Sequence, residues 1–200
     1  AVRKTVMAAA AENLVPVILE LGGKSPVLVH PSIDLRDVAQ RIAVGKLWNA
    51  GQTCVAPDYM FLPLGKTAEF IDHFKACVES MYPDITHNQD YTSIINDKQY
   101  NRLQGYLDDA REQGAQVIEI NPRSENSADL RKIAPTIVTN VTPMMQIMQH
   151  EIFGPLLPIM EYDQIDDVID FINSRPRPLA LYYFDFDQAR ADYVAQRTHS

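Results

Sequence analysis

The amino-acid sequence predicts an α/β fold, a three-layer sandwich built on a mostly parallel sheet. Two observations carry that prediction. Short apolar runs bounded by Gly, Pro, Asn or Asp recur along the chain, and between them lie longer segments whose apolar residues return every three to four positions. Strands that alternate with helices need crossover connections, which pair the strands in parallel and place helices on both faces of the sheet.

Residues 2 to about 12 read as an Ala-rich helix ending near Asn13. After Pro16, Val17-Ile18-Leu19 reads as a short buried strand that delivers Glu20 at its end, and Gly22-Gly23 permits a tight turn. Pro26 to Val29 is the next apolar strand. From Asp34, an N-cap, the period becomes helical: Leu35, Val38, Ala39, Ile42 and Leu47 form one stripe, and Gly51 ends the helix. Cys54 then falls in the loop before the strand Tyr59 to Leu62. Residues 67 to 81 form a helix with Phe70, Phe74, Cys77, Val78 and Met81 on one face, which makes Cys77 a small core residue. A helix over 97–113 follows, then a strand over 116–119 and a polar loop over 121–131. Strands at about 135–139 and 156–161, a helix at 164–173, a strand from Leu179 to Phe184 and a helix from Asp187 complete the chain.

The 200 residues suit one domain with a sizeable core, and 46% hydrophobic with 22% charged residues is ordinary for a globular protein. A net charge of −8 with no run of Lys or Arg argues against nucleic acid as a partner. No apolar stretch approaches the roughly 20 residues that span a bilayer, so no membrane association is expected. Ala1 to Met7 lacks the apolar core of a secretory leader and an initiating Met, so the chain is expected to be an excised piece. Two cysteines without a CxxC pattern point to a reducing, cytoplasmic setting. The five histidines show no metal-ligand spacing, and no metal is expected.

Cys54 and Glu20 hold the chemical interest. A thiolate is a nucleophile and a carboxylate can take a proton from water, the pair a reaction needs to form and then hydrolyse a thioester. Singly, each has a plainer reading. Glu20 could be a carboxylate satisfied by amides at a glycine turn, Cys54 a packed thiol, Glu151-Ile152-Phe153-Gly154-Pro155 a turn into a strand, and Trp48 a core residue.

Taken together, Leu19-Glu20-Leu21-Gly22-Gly23-Lys24-Ser25-Pro26, Gly51-Gln52-Thr53-Cys54 and Glu151-Ile152-Phe153-Gly154-Pro155 occur in an order that resembles the aldehyde dehydrogenase superfamily. The resemblance covers the chain from end to end. Cys54-Val55-Ala56-Pro57-Asp58-Tyr59 and Arg177-Pro178-Leu179-Ala180-Leu181-Tyr182 are similar to its class-three branch, with a lean to the coniferyl-aldehyde type. It implies the fold of that family's catalytic domain and NAD(P)⁺-dependent oxidation of an aldehyde to an acid. It further implies Cys54 as nucleophile and oxyanion donor through its own N–H, and Glu20 as the base for thioester hydrolysis. Glu151 is implied to hold the nicotinamide ribose and Phe153 to pack near the ring, while Leu21, Gly22 and Gly23 line the pocket through their backbone. Lys24 is expected to support the turn.

The same resemblance makes residues 1–13 a remnant helix of a preceding dinucleotide-binding domain. Residues 14–200 become the thiol-bearing catalytic domain, cut short at its C-terminal end. NAD or NADP would then be weakly held by this chain alone, which should be inactive by itself, and the full-length protein should be a homodimer acting on a small-molecule aldehyde substrate. Rival readings are an acylating relative that passes the thioester to coenzyme A, a thiol hydrolase pairing Cys54 with His150, and a non-catalytic descendant.

Overall fold

A computed structural model of the chain describes residues 2–19 and 21–200, with side chains from Lys4 onward. Six strands form one sheet: β1 (Pro26–Val29), β2 (Tyr59–Pro63), β3 (Gln116–Glu119), β4 (Thr136–Thr139), β5 (Leu156–Tyr162) and β6 (Tyr182–Phe184). Their order is β3-β4-β5-β2-β1-β6, with every pairing parallel except the edge pair β3–β4. The helices are α1 (Val2–Glu12), α2 (Leu35–Leu47), α3 (Thr67–Met81), α4 (Asp97–Glu112), α5 (Gln146–Gln149), α6 (Ile165–Asn173) and α7 (Gln188–Arg197). Among the described residues no helix is long and apolar enough to cross a membrane.

Local chemistry explains where the helices begin. Asp34 accepts the Arg36 N–H at 2.8 Å, Asn96 accepts that of Gln99 at 3.0 Å, and Asp187 accepts that of Arg190 at 3.0 Å. Each satisfies an N–H that the first helical turn leaves without a partner. The steps β1–α2–β2 and β5–α6–β6 cross the sheet in opposite directions, so right-handed crossovers put α2 and α6 on opposite faces. The rings agree. Phe171 of α6 lies 6.1 and 5.4 Å from Tyr59 and Phe61, so these two residues share one face of β2. Met60 and Leu62 therefore point to the other face, towards the packed pair α2 and α3. All five residues of β2 are buried, as the middle of three layers requires.

Four expectations need correction. Val17 to Leu19 is not a strand: no strand among the described residues pairs with it, and Ile18 is 90% exposed. An apolar run without a neighbouring ladder cannot satisfy its backbone as a strand. The last strand starts at Tyr182 rather than Leu179, because β1 offers only Val27 to Val29 as partners for Tyr182 to Phe184. α2 ends at Leu47, and residues 48–51 form a 3₁₀ turn in which Asn49 and Ala50 are left-handed, so Gly51 closes that turn and not the helix. Trp48 is not a core residue: it is 75% exposed. The short helix α5, just before the Glu151 motif, was not anticipated. Cys77 packs partly buried against the core, as expected, and burial pushes its thiol pKa up.

Candidate active site

Two close backbone approaches bring the three motifs together. Gly51 has φ +73°, and a Cβ there would lie 2.3 Å from the Gly154 carbonyl oxygen. Only glycine lets the thiol loop rest directly on the Glu151–Pro155 segment. Gly22, at φ +64°, would place a Cβ 2.6 Å from Glu151 Oε1, and the Gly23 N–H donates to that oxygen at 3.1 Å. The carboxylate of Glu151 therefore sits on the glycine turn. Burial raises its pKa above the ordinary carboxylate value, while the Gly23 N–H pulls the other way. Next to it Phe153 adopts a left-handed backbone, φ 52°, and is 41% exposed.

The thiol loop is fixed from both sides. The Gln52 amide nitrogen donates to the carbonyls of Asn49 and Ser93, each at 3.1 Å, and its oxygen accepts the Ile95 N–H at 3.0 Å. From β6 the Tyr182 hydroxyl donates to the Val55 carbonyl at 2.6 Å. Burial, and secondarily the charge of the Cys54 thiolate, raise the Tyr182 pKa. Cys54 is a free, exposed thiol, and no acceptor among the described residues takes its backbone N–H. Its neighbours Thr53 and Val55 line a cavity of about 420 Å³ together with Arg41 and Ile42 of α2, Trp48, and Tyr182 and Phe184 of β6.

Beneath this surface lies a charged layer. Lys24 donates to Asp58 Oδ1 and to the carbonyls of Ile147 at 2.8 Å and His150 at 2.9 Å, while Asp58 Oδ2 accepts the Ile152 N–H at 2.9 Å. Arg102 donates to the carbonyls of Glu151 at 3.2 Å and Ile152 at 2.6 Å. Burial lowers the Lys24 pKa, opposed by Asp58. Lys46, 1% exposed, has its pKa pushed down to about 8, also by burial first.

Such an arrangement presents an exposed thiol in a loop that lines an apolar cavity, with a half-buried carboxylate held on a glycine turn. The description "Aldehyde dehydrogenase family" matches residues 1–200, the whole chain.

The chain belongs to the aldehyde dehydrogenase family.

It is 52% identical over 202 residues to a coniferyl aldehyde dehydrogenase of Pseudomonas sp. (strain HR199), covering 100% of this chain and 42% of that protein. It is 41% identical over 201 residues to aldehyde dehydrogenase family 3 member A2 of Mus musculus, covering 100% of this chain and 40% of that protein. The solved structure of Staphylococcus aureus AldH in a substrate-bound state superposes with a TM-score of 0.90 at 40% identity, over 98% of this chain and 42% of that one. The chain thus spans about two fifths of the length of these aldehyde dehydrogenases.

Of the residues singled out from sequence, the structure brings Gly22, Gly23 and Glu151 into contact and sets the Cys54 loop against Gly154. Leu21 is adjacent and exposed. Glu20 lies outside the described residues. His150 stacks on Tyr106, with ring centroids 6.3 Å apart. Sequence reasoning missed Asp58, Arg102 and Tyr182. A lone carboxylate just before a fully buried strand was the available signal for Asp58. Arg102 sits on a helix whose polar residues all look alike in sequence.

Proposed function

We propose that this chain carries the nucleophile-bearing catalytic domain of an NAD(P)⁺-dependent aldehyde dehydrogenase that converts an aldehyde to a carboxylic acid. The observation that carries the reading is the convergence on one surface of an exposed thiol, a glycine turn and the Glu151 carboxylate. The Cys54 thiolate attacks the aldehyde carbon, and its own N–H, which no acceptor among the described residues takes, stabilises the oxyanion. NAD(P)⁺, when bound, supplies the hydride acceptor that turns the thiohemiacetal into a thioester. The chain's residues fit such a cofactor: Glu151 Oε1 is taken by Gly23, while Oε2 meets no protein donor among the described residues and can accept ribose hydroxyls. Phe153 offers an exposed ring beside it. Glu20, carried over from the sequence motif, takes a proton from the water that hydrolyses the thioester, regenerating the thiolate and releasing the acid.

The cavity lined by Trp48, Tyr182 and Phe184 suits an aromatic aldehyde of the coniferyl type. Residues 1–13 are proposed to be the last helix of a dinucleotide-binding domain, and the full-length protein a cytoplasmic homodimer. The full-length protein, mixed with coniferyl aldehyde and either cofactor, should form reduced cofactor, and Cys54→Ser should abolish this while leaving cofactor binding nearly intact. A serine hydroxyl is a far weaker nucleophile near neutral pH than a thiol. Undiminished turnover in Cys54→Ser, with loss in Cys77→Ser, would show that the wrong thiol was chosen.

A further inference from the structure

The backbone that carries Glu151 is held by an unusual density of charge. Five carbonyls in this short stretch each accept a hydrogen bond from a cation: Ile147 and His150 from Lys24, Met148 from Arg175, and Glu151 and Ile152 from Arg102. α5 has only four residues, so its last carbonyls have no helical partners, and these cations supply them. Lys24 spends all three ammonium donors here, on Asp58 and on the carbonyls of Ile147 and His150. The second oxygen of Asp58 takes the N–H of Ile152, and the Asp58 N–H donates to Ser25 at 2.9 Å. The residue before Glu151 is therefore tied to Lys24 and the residue after it to Asp58. The same Lys24 directly follows Gly23, whose N–H holds the Glu151 carboxylate.

We infer that the buried Lys24–Asp58 pair is a positioning device that fixes Glu151 for cofactor binding by locking its backbone to the glycine turn. This rests on the ribose-holding reading of Glu151 given above. A buried ion pair is weak evidence for net stability, because desolvation offsets the attraction, and its attested use is to specify geometry. Here the geometry specified is that of a half-buried carboxylate between two segments 128 residues apart in sequence. Lys24 touches neither substrate nor cofactor in this scheme. It acts through Glu151.

The test is a double-mutant cycle in the full-length protein, reading the cofactor KM, single-turnover hydride transfer and Cys54 alkylation by iodoacetamide without cofactor. Glu151→Ala and Lys24→Met should each raise the cofactor KM, Lys24→Met by about 10-fold, the size expected for loss of one charge-assisted contact. Combined, they should do little more than Glu151→Ala alone, within about 2-fold, because residues acting through one contact are not additive. Alkylation of Cys54 should stay within about 2-fold of wild type, since Glu151 has no part in the thiol's attack. Asp58→Asn keeps the shape and an acceptor for the Ile152 N–H but removes the charge, and should raise the cofactor KM in the same Glu151-dependent way.

Several results would overturn the inference. One is a full, additive effect of Lys24→Met on top of Glu151→Ala. Another is an unchanged cofactor KM in Lys24→Met or Asp58→Asn. Loss of folded protein in both variants would also do so, because the pair would then be structural. If Glu151→Ala itself leaves the cofactor KM unmoved, the ribose-holding role falls and not merely the positioning pair.

Discussion

Gly51→Ala tests how closely the thiol loop must lie against the Glu151 segment. Two costs add at this position. Gly51 has φ +73°, which an alanine adopts at a cost of about 1–2 kcal/mol. Its Cβ would also stand 2.3 Å from the Gly154 carbonyl oxygen and 2.9 Å from that of Lys46, both backbone atoms that cannot rotate away. Ordinary van der Waals contact begins near 3.4 Å, so the two segments must separate by roughly 1 Å, and such overpacking costs about 1–3 kcal/mol. The expected loss is about 2–5 kcal/mol in urea denaturation of the 200-residue chain. Gly65 supplies the control: it has the same φ of +73°, but nothing lies within 4 Å of a Cβ there. Gly65→Ala should show the conformational cost alone, about 1–2 kcal/mol. In the full-length enzyme, misplacing the nucleophile by roughly 1 Å should lower kcat/KM about 100-fold for Gly51→Ala and scarcely at all for Gly65→Ala. Equal destabilisation by the two substitutions, with equal activity, would refute the argument that Gly51 is required by contact with Gly154.

Further outcomes follow from the same site. Glu20→Gln in the full-length enzyme should slow thioester hydrolysis by about 10²–10⁴-fold while sparing hydride transfer, giving a burst of reduced cofactor before slow turnover; an unchanged steady-state rate without a burst would leave Glu20 no role as base. The raised pKa of Glu151 means its ionised, hydroxyl-accepting form is lost at a higher pH than for an ordinary glutamate. The cofactor KM should therefore begin to rise above the usual carboxylate range of about 4.3 as pH falls; a KM that stays flat down to that range would contradict it. Lys46 titrates near 8 when folded and about 10.4 when unfolded, so between those values the unfolded chain binds more protons and stability should increase with pH. Lys46→Met should accordingly flatten that slope and stabilise the chain at pH 7 by about 1–3 kcal/mol, as urea titrations at pH 7 and 10 would show.

Much of the architecture was legible because it is written in local periodicity and turn chemistry. The stripe from Leu35 to Leu47, the cap Asp34, and the apolar run Tyr59 to Leu62 each announce their element within a dozen residues. Local signals failed where a partner decides. Val17 to Leu19 has the composition of a strand but no neighbouring ladder, and Leu179 to Leu181 extend beyond the reach of β1. Trp48 follows an apolar stripe, yet the left-handed turn at Asn49 and Ala50 leaves it in solvent beside the cavity.

By itself the sequence determined the type of most elements, the three motifs and which thiol and carboxylates to consider, since those depend on residue type and spacing. Only the tertiary structure decided which motif touches which. Gly51 against Gly154, Gly22 beneath Glu151 and Asp58 between Lys24 and Ile152 are contacts between segments far apart in the chain. The physical reason is that strand order and backbone approach depend on packing the whole sheet, and no window of sequence contains both sides of a contact.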